Sequence, residues 1–280
     1  MTAADLPDWT ENRAPDRWLP SLRLGEIWSS RELSYFFFLR DLKSGYKQTV
    51  LGITWVILGP LIGAISYTFV FNGLAGIETE GSYFALALTG FIVWRFVNGV
   101  MQEASGSLLE HEDLITHVSF PMIAAPVSVV LLATVDLAVG SVIAAGWSIV
   151  TGSPPSLLGV LVGLPAALVL MVLTAMGPGL LFAPAVVKYR DAGSILGLGS
   201  QVLFVLGPVA YPPELLGDRF QTIVYLNPVA GCVALYRWAL TGAPAPEPAQ
   251  LAISVGVALT AALVGLVSFR RNEHLLVDVI

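Results

Sequence analysis

Cysteine is almost absent from this chain. Cys232 stands alone, which rules out an internal disulfide and a dithiol redox couple. Charge is scarce as well, at 12% of 280 residues, and there are only three histidines. Two of them, His111 and His117, are six positions apart and so fall on different faces of a helix, unlike the i, i+4 pair of a zinc helix. A solvated loop is the expectation there, with no metal site. No Gly-x-x-x-x-Gly-Lys-[Ser/Thr] phosphate loop occurs, so these residues do not cradle nucleotide in the P-loop manner. The first 25 residues also lack the apolar core and small-residue cleavage site of a signal peptide. Polar and interrupted by Pro7, Pro15 and Pro20, residues 1–25 are expected to form a cytosolic tail.

What the chain has instead is apolar surface. It is 55% hydrophobic with a mean hydropathy of +0.76, more than a soluble domain of this size can hide, which predicts an all-α polytopic membrane protein. Basic residues are unevenly spread: Arg13, Arg17, Arg23, Arg31, Arg40, Lys43 and Lys47 all precede the first long apolar stretch, placing the amino terminus in the cytoplasm. Within residues 26–48, Tyr35, Leu39, Leu42 and Tyr46 recur at helical spacing opposite Arg31, Arg40, Lys43 and Lys47. This pattern predicts an amphipathic helix lying in the headgroup layer. From Val50 to Leu74 no charge interrupts the sequence, enough for a spanning helix of roughly 20 residues.

Seven apolar stretches follow: Leu51 to Phe71, Tyr83 to Met101, Met122 to Val150, Leu157 to Val187, Ile195 to Ala210, Ile223 to Leu240 and Leu251 to Phe269. Seven crossings would put the two ends on opposite sides, yet Arg270 and Arg271 follow the last stretch and call for a cytosolic carboxy terminus. One stretch must fail to cross. Ile223 to Leu240 is the weakest, because Asn227-Pro228 breaks it and Arg237 is an isolated charge, costly in lipid. We therefore expect six transmembrane helices over residues 49–270, with re-entrant gate helices in the 211–240 region between spans 5 and 6 and a cytosolic tail at 271–280.

Inner loops are expected at Gln102 to Pro121 and Lys188 to Gly193. The first carries Glu103, Glu110, Glu112 and Asp113, and Ser107 to Val118 is expected to form a short amphipathic helix with Leu108, Ile115 and Val118 toward the membrane. Two ions lie inside spans. For Arg95 three readings stand open: snorkelling to the interface, an ion pair with Asp136, or contact with a substrate. Trp55, Tyr67, Phe69, Phe71, Phe91, Trp94 and Phe96 crowd the first two spans, either as an interfacial girdle or as a lining onto which sugar rings stack their C–H faces. Gly59/Gly63 and Gly159/Gly163 place small residues one turn apart, as close helix packing favours, without naming the partner.

The junction Arg40-Asp41-Leu42-Lys43-Ser44-Gly45-Tyr46-Lys47-Gln48-Thr49-Val50-Leu51-Gly52-Ile53-Thr54-Trp55 resembles the start of the membrane subunit of ABC-2 type polysaccharide exporters, the O-antigen, capsule, galactan and teichoic-acid permeases. The likeness continues through Leu114-Ile115-Thr116, Phe120-Pro121, Tyr189-Arg190-Asp191, Pro208-Val209-Ala210-Tyr211-Pro212, Leu226-Asn227-Pro228, Tyr236-Arg237-Trp238-Ala239-Leu240 and the tail Phe269-Arg270-Arg271. The resemblance implies an ABC-2 (type V) exporter fold in the bacterial cytoplasmic (inner) membrane. It implies a homodimer with a conduit between protomers and two copies of a nucleotide-binding ATPase subunit, which hold the ATP and Mg; this chain itself needs no cofactor. Membrane lipids and a lipid-linked polysaccharide are the other expected partners, and nucleic acid is not.

By the same resemblance, coupling to the ATPase falls to Glu110, His111, Glu112, Asp113, Leu114, Ile115, Thr116 and His117 in loop 102–121; Arg40, Lys43, Tyr46 and Lys47 are separately the residues of the interface helix. Tyr211, Pro212, Asn227, Pro228 and Arg237 belong to the gate. Trp55, Tyr67, Phe91, Trp94 and Arg95 are the conduit candidates. The chain departs from the family in having Gly59-Pro60 where Gln-Pro is common, and His117 and Met122 where Lys and Arg are usual. A pump for lipophilic drugs shares the fold and is the alternative. A membrane-embedded glycosyl- or phosphotransferase would need catalytic charges gathered at one face, and only Glu110, Glu112 and Asp113 answer that description.

Overall fold

A computed structural model describes residues 24–47, 54–74, 76, 82–111, 121–189, 191–212 and 223–277. Regular structure among them is entirely helical. A short α1 (Leu24–Ser29) leads into α2 (Arg31–Lys47). Then come α3 (Thr54–Tyr67), prolonged by a π-helical stretch Thr68–Leu74, α4 (Tyr83–Glu110) and α5 (Ala124–Val150). A π-helical turn Gly159–Gly163 opens α6 (Leu164–Lys188), followed by α7 (Ala192–Leu206), α8 (Pro228–Leu240) and α9 (Pro248–Val277).

Five helical stretches are long and apolar enough to cross a bilayer: Val56–Leu74, Tyr83–Glu110, Ala124–Val150, Gly159–Lys188 and Pro248–Glu273. The apolar α7 has 15 residues and ends before the stretch Ile195 to Ala210 does, because the backbone leaves the helix at Gly207 and continues in turns and bends. With 13 residues, α8 is about 20 Å long, too short to cross.

Helix α4 is the centre of the bundle, burying Leu88, Val93, Val97, Val100 and Met101 among α3, α5, α6, α7 and α8. Without a hydrophobic drive between helices in lipid, close approach at small residues has to supply the packing. It does so most tightly between α6 and α9. A Cβ at Gly265 would lie 2.1 Å from the carbonyl oxygen of Gly177, and one at Gly177 would meet Ala261 and Ala262 at 2.8–2.9 Å. The two glycine pairs noted in the sequence also find their partners. Gly63 lies under the Phe91 ring, Gly59 under Arg95, and Gly159 and Gly163 receive Trp238 and Ala239 of α8.

The two ends of the bundle differ. At one, Leu108, Met122, Ile123, Leu180, Ala183 and Phe269 form a buried cluster that joins the carboxy-terminal parts of α4, α6 and α9 to the start of α5. Arg270 is buried beside it, its Nη1 donating to Glu273 at 3.0 Å. At the other end Trp147 packs against Phe84 (4.6 Å between rings), and Gly242, with φ +66°, turns the chain beside Ser153 and Pro154. Residues 102–110 belong to α4, so the expected inner loop starts later than Gln102, and Ser107 to Glu110 end a long helix instead of opening a short one. Buried Ala104, Ser105, Ser107 and Leu108 explain the extension: the α4 stripe facing α6 simply continues.

Candidate functional site

Where α7 ends, the chain crosses α4 as buried, non-helical backbone. Gly90 makes this possible, since a Cβ there would lie 1.8 Å from the carbonyl oxygen of Val209. Buried carbonyls without a helix need donors. Tyr83 donates its hydroxyl to the Ala210 carbonyl. Arg237 Nη2 donates to the carbonyls of Leu86 (3.0 Å), Pro208 (2.9 Å) and Val209 (3.1 Å). Asn227 Nδ2 donates to the Leu203 carbonyl at 2.7 Å, while its Oδ1 accepts from the Val229 backbone at 3.1 Å, capping α8 ahead of Pro228 at the first helical position. Tyr211 donates to the Leu206 carbonyl at 3.2 Å, and Pro212 beside it is half-buried. Of the five gate candidates, Arg237 holds this segment directly, Asn227 and Tyr211 donate to carbonyls in the last turn of α7, and Pro228 opens α8. The expectation that Arg237 is a charge at odds with lipid is corrected: it is 9% exposed and spent on protein carbonyls.

Of the conduit candidates, Tyr67, Phe91 and Trp94 converge on a residue the sequence reading passed over. Phe204 of α7 lies 6.4, 5.9 and 5.2 Å from their rings respectively. Tyr67 also stacks on Phe71 at 5.5 Å. The one aromatic of the Ile195 to Ala210 stretch was the available signal. The Trp55 side chain lies outside the described residues.

Arg95 stands opposite Asp136. Its Nη2 is 3.5 Å from Asp136 Oδ2 on α5, and the pair lines a cavity of about 340 Å³ between α3, α4 and α5, together with Asn98 and Glu103. Glu103, expected in a loop, is one helical face along α4 from Asn98 and Gly99.

At the opposite end His111 terminates α4, 2% exposed and not solvated. Arg40 Nη2 contacts His111 Nε2 at 2.7 Å, and Ser107 O contacts Nδ1 at 2.8 Å. A guanidinium only donates, so in the Arg40 contact Nε2 is the acceptor; Asp41 Oδ2 lies 3.8 Å from the same nitrogen. Phe37 packs on this ring at 4.7 Å, and Asp41 holds Arg40 at 2.8 Å. Helix α2 therefore has a protein-facing stripe, Ser30, Ser34 and Phe37, docked on Ala124 and Ala125 of α5. Tyr35 and Phe36 face outward. Glu110 and Lys43 are exposed; the side chains of Tyr46 and Lys47, and Glu112, Asp113, Leu114, Ile115, Thr116 and His117 entirely, lie outside the described residues. Among the described residues no group of three His, Cys, Asp or Glu is placed to hold a metal ion.

Five bilayer-length apolar helices packed around a buried, side-chain-braced break are the mark of a multi-pass membrane protein. The chain belongs to the ABC-2 type transporter family, whose profile matches residues 34–241. It is similar to two O-antigen export system permease proteins (RfbA) of Klebsiella pneumoniae, 24% and 25% identical over 242 residues, covering 86% of this chain and 92% of each relative. The protein of the same name from Myxococcus xanthus is 23% identical over 252 residues, 89% of this chain and 96% of the relative.

Proposed function

We propose that this chain is the membrane subunit of an ATP-driven exporter that carries a lipid-linked polysaccharide out across the bacterial cytoplasmic membrane. The likeness to O-antigen export permeases over 86–89% of the chain carries the reading. The chain acts as a homodimer enclosing the conduit, with two ATPase subunits supplying ATP and Mg chemistry. It crosses six times, α7 together with its non-helical continuation being the fifth crossing, and both termini are cytosolic. The basic residues around Arg40, Lys188 and Arg270 at the end where α2 docks support that orientation.

In this reading no bond of the glycan is broken. The break at 207–212 with α8 is the outer gate, and the stretch from Glu110 to His117 together with Arg40, Lys43, Tyr46 and Lys47 meets the ATPase. Closure of the ATPase dimer on ATP favours one of two arrangements of the membrane domain by its differential affinity for them. The aromatic set Tyr67, Phe91, Trp94 and Phe204 gives a glycan a polar-tolerant, flat surface. Depleting the protein in cells with an intact synthetic pathway is expected to leave lipid-linked glycan accumulating on the cytosolic side. Normal surface glycan after depletion, with loss of lipophilic-drug efflux instead, would replace this reading with the pump for small lipophiles.

A further inference from the structure

The cavity between α3, α4 and α5 is built from features that lipid-facing packing does not require. Its volume of about 340 Å³ lies in the roughly 300–1,000 Å³ range of small-molecule sites. Three of its lining residues are glycines; at Gly140 a Cβ would meet Ile92 at 2.9 Å, whereas at Gly59 and Gly99 the missing side chain leaves the space open. At Gly99 a Cβ would meet nothing nearer than Glu103 Oε1 at 4.0 Å, and at Gly59 nothing nearer than Arg95 Nη1 at 3.6 Å.

Four planar polar side chains share this space: Arg95, Asn98, Glu103 and Asp136. Ionic groups inside a bilayer are expensive and point to a site. The contact between Arg95 and Asp136, 3.5 Å, is longer than a direct hydrogen bond, and Arg95 keeps donors to offer. Asn98 Oδ1 is buried and accepts no hydrogen bond from the described residues. One cation stands against two carboxylates and an amide oxygen, so an anionic phosphate group is a poor match. Acceptors outnumber donors, and the complementary ligand brings several hydroxyl donors with it. Phe91 and Trp94 add flat apolar surface at the wall.

We propose that this cavity is a subsite for a single neutral sugar ring, held by hydroxyl donation to Asp136, Asn98 and Glu103, by donation from Arg95, and by its C–H face against an aromatic wall. The proposal rests on the polysaccharide-export reading and narrows it: part of the recognition lies within one protomer, between α3, α4 and α5, in addition to any conduit between protomers.

The test uses the full-length protein in lipid nanodiscs and saturation-transfer NMR with methyl glycosides of glucose, galactose, mannose, rhamnose and N-acetylglucosamine, alongside inorganic pyrophosphate. At least one glycoside is expected to bind saturably in the roughly millimolar range. Asn98→Ala is expected to weaken it about fivefold, the loss of about one net hydrogen bond, and Gly99→Leu, which fills the space, to abolish it. Thermal melts of both variants check that they remain folded, and Asn98→Asp, which keeps an acceptor, provides a second variant should either fail; it is expected to bind within about twofold of wild type. No saturable glycoside binding, binding of pyrophosphate alone, or glycoside binding untouched by these substitutions would each overturn the proposal. The parent reading is scored separately by surface glycan in a deletion strain. If export depends on the protein and Gly99→Leu restores it fully, the export reading stands and the subsite falls; if export does not depend on the protein, the export reading falls whatever the NMR gives.

Discussion

Replacing Arg237 with methionine is expected to loosen the non-helical segment 207–212 without unfolding the helices around it. The side chain fits the space that the hydrocarbon part of Arg237 occupies, but it donates nothing. Two protons on Nη2 serve three carbonyls at 2.9–3.1 Å, so one is shared. The acceptors are not equal. Leu86 O lies in the first turn of α4 and also receives the Thr89 hydroxyl at 3.0 Å, so it keeps a partner in the variant. Pro208 O and Val209 O lie in non-helical buried backbone and lose a charged donor. At about 1–3 kcal/mol for each buried acceptor left unsatisfied, the cost is about 2–6 kcal/mol, reduced by no longer burying a guanidinium. We expect a net loss of about 3 kcal/mol, and about half of that for Arg237→Lys, whose ammonium reaches one or two of the acceptors. Unfolding in mixed micelles measures the loss, and hydrogen exchange at the Val209 amide, bonded to Gly207 O at 2.8 Å, locates it. A methionine variant within 0.5 kcal/mol of wild type, with unchanged exchange at Val209, would refute the idea that Arg237 braces the break.

Neutralising Arg95 or Asp136 singly is expected to lower folded yield, and Arg95→Gln with Asp136→Asn to recover most of it, with a coupling of about 1 kcal/mol for so open a pair; strictly additive losses would remove the pairing. His111→Ala and Arg40→Ala are each expected to raise hydrogen exchange along α2 and to cut export per ATP hydrolysed several-fold in the reconstituted complex while ATP turnover continues, since the contact they break ties α4 to α2. Unchanged exchange in α2 would show that Phe37 on Ala124 and Ala125 suffices for docking. Along α9, Gly265→Ala pushes a methyl into the Gly177 carbonyl and is expected to cost about 1–3 kcal/mol, whereas Gly256→Ala meets nothing within 4 Å and is expected to stay within about 0.5 kcal/mol of wild type. Equal melting temperatures for the two would mean that the α6/α9 seam relaxes freely.

Hydropathy made most of the helices readable in advance, because a run such as Val50 to Leu74 states its length and its lack of charge locally. Partners were not readable. Arg237 looked costly because its acceptors, Leu86, Pro208 and Val209, are 151, 29 and 28 positions away. The docking stripe of α2 was hidden for a similar reason: Phe36, Phe37 and Phe38 are equivalent in hydropathy, and only packing on Ala124 and Ala125 singles out Phe37. Charge counting also placed a loop boundary at Gln102, because Glu103 and Glu110 look like loop acids. Ala104, Ser105 and Leu108 between them follow the helical repeat, which was the signal against it. For the Arg95 contact the sequence supplied the correct pair of residues among its alternatives, and only geometry could choose.

Helix α4 runs 28 residues, about 42 Å, without a proline, while α3, α5 and α6 each contain at least one. One end carries Tyr83 and Gly90, which meet the non-helical segment; the other carries His111, which meets Arg40. A single helix therefore touches both the break and the docked α2. For any coupling between these two contacts, linkage makes the factor the same in both directions: what the 207–212 contact does to the Arg40–His111 contact, that contact does in return. Measuring the effect at one end of α4 therefore measures it at the other.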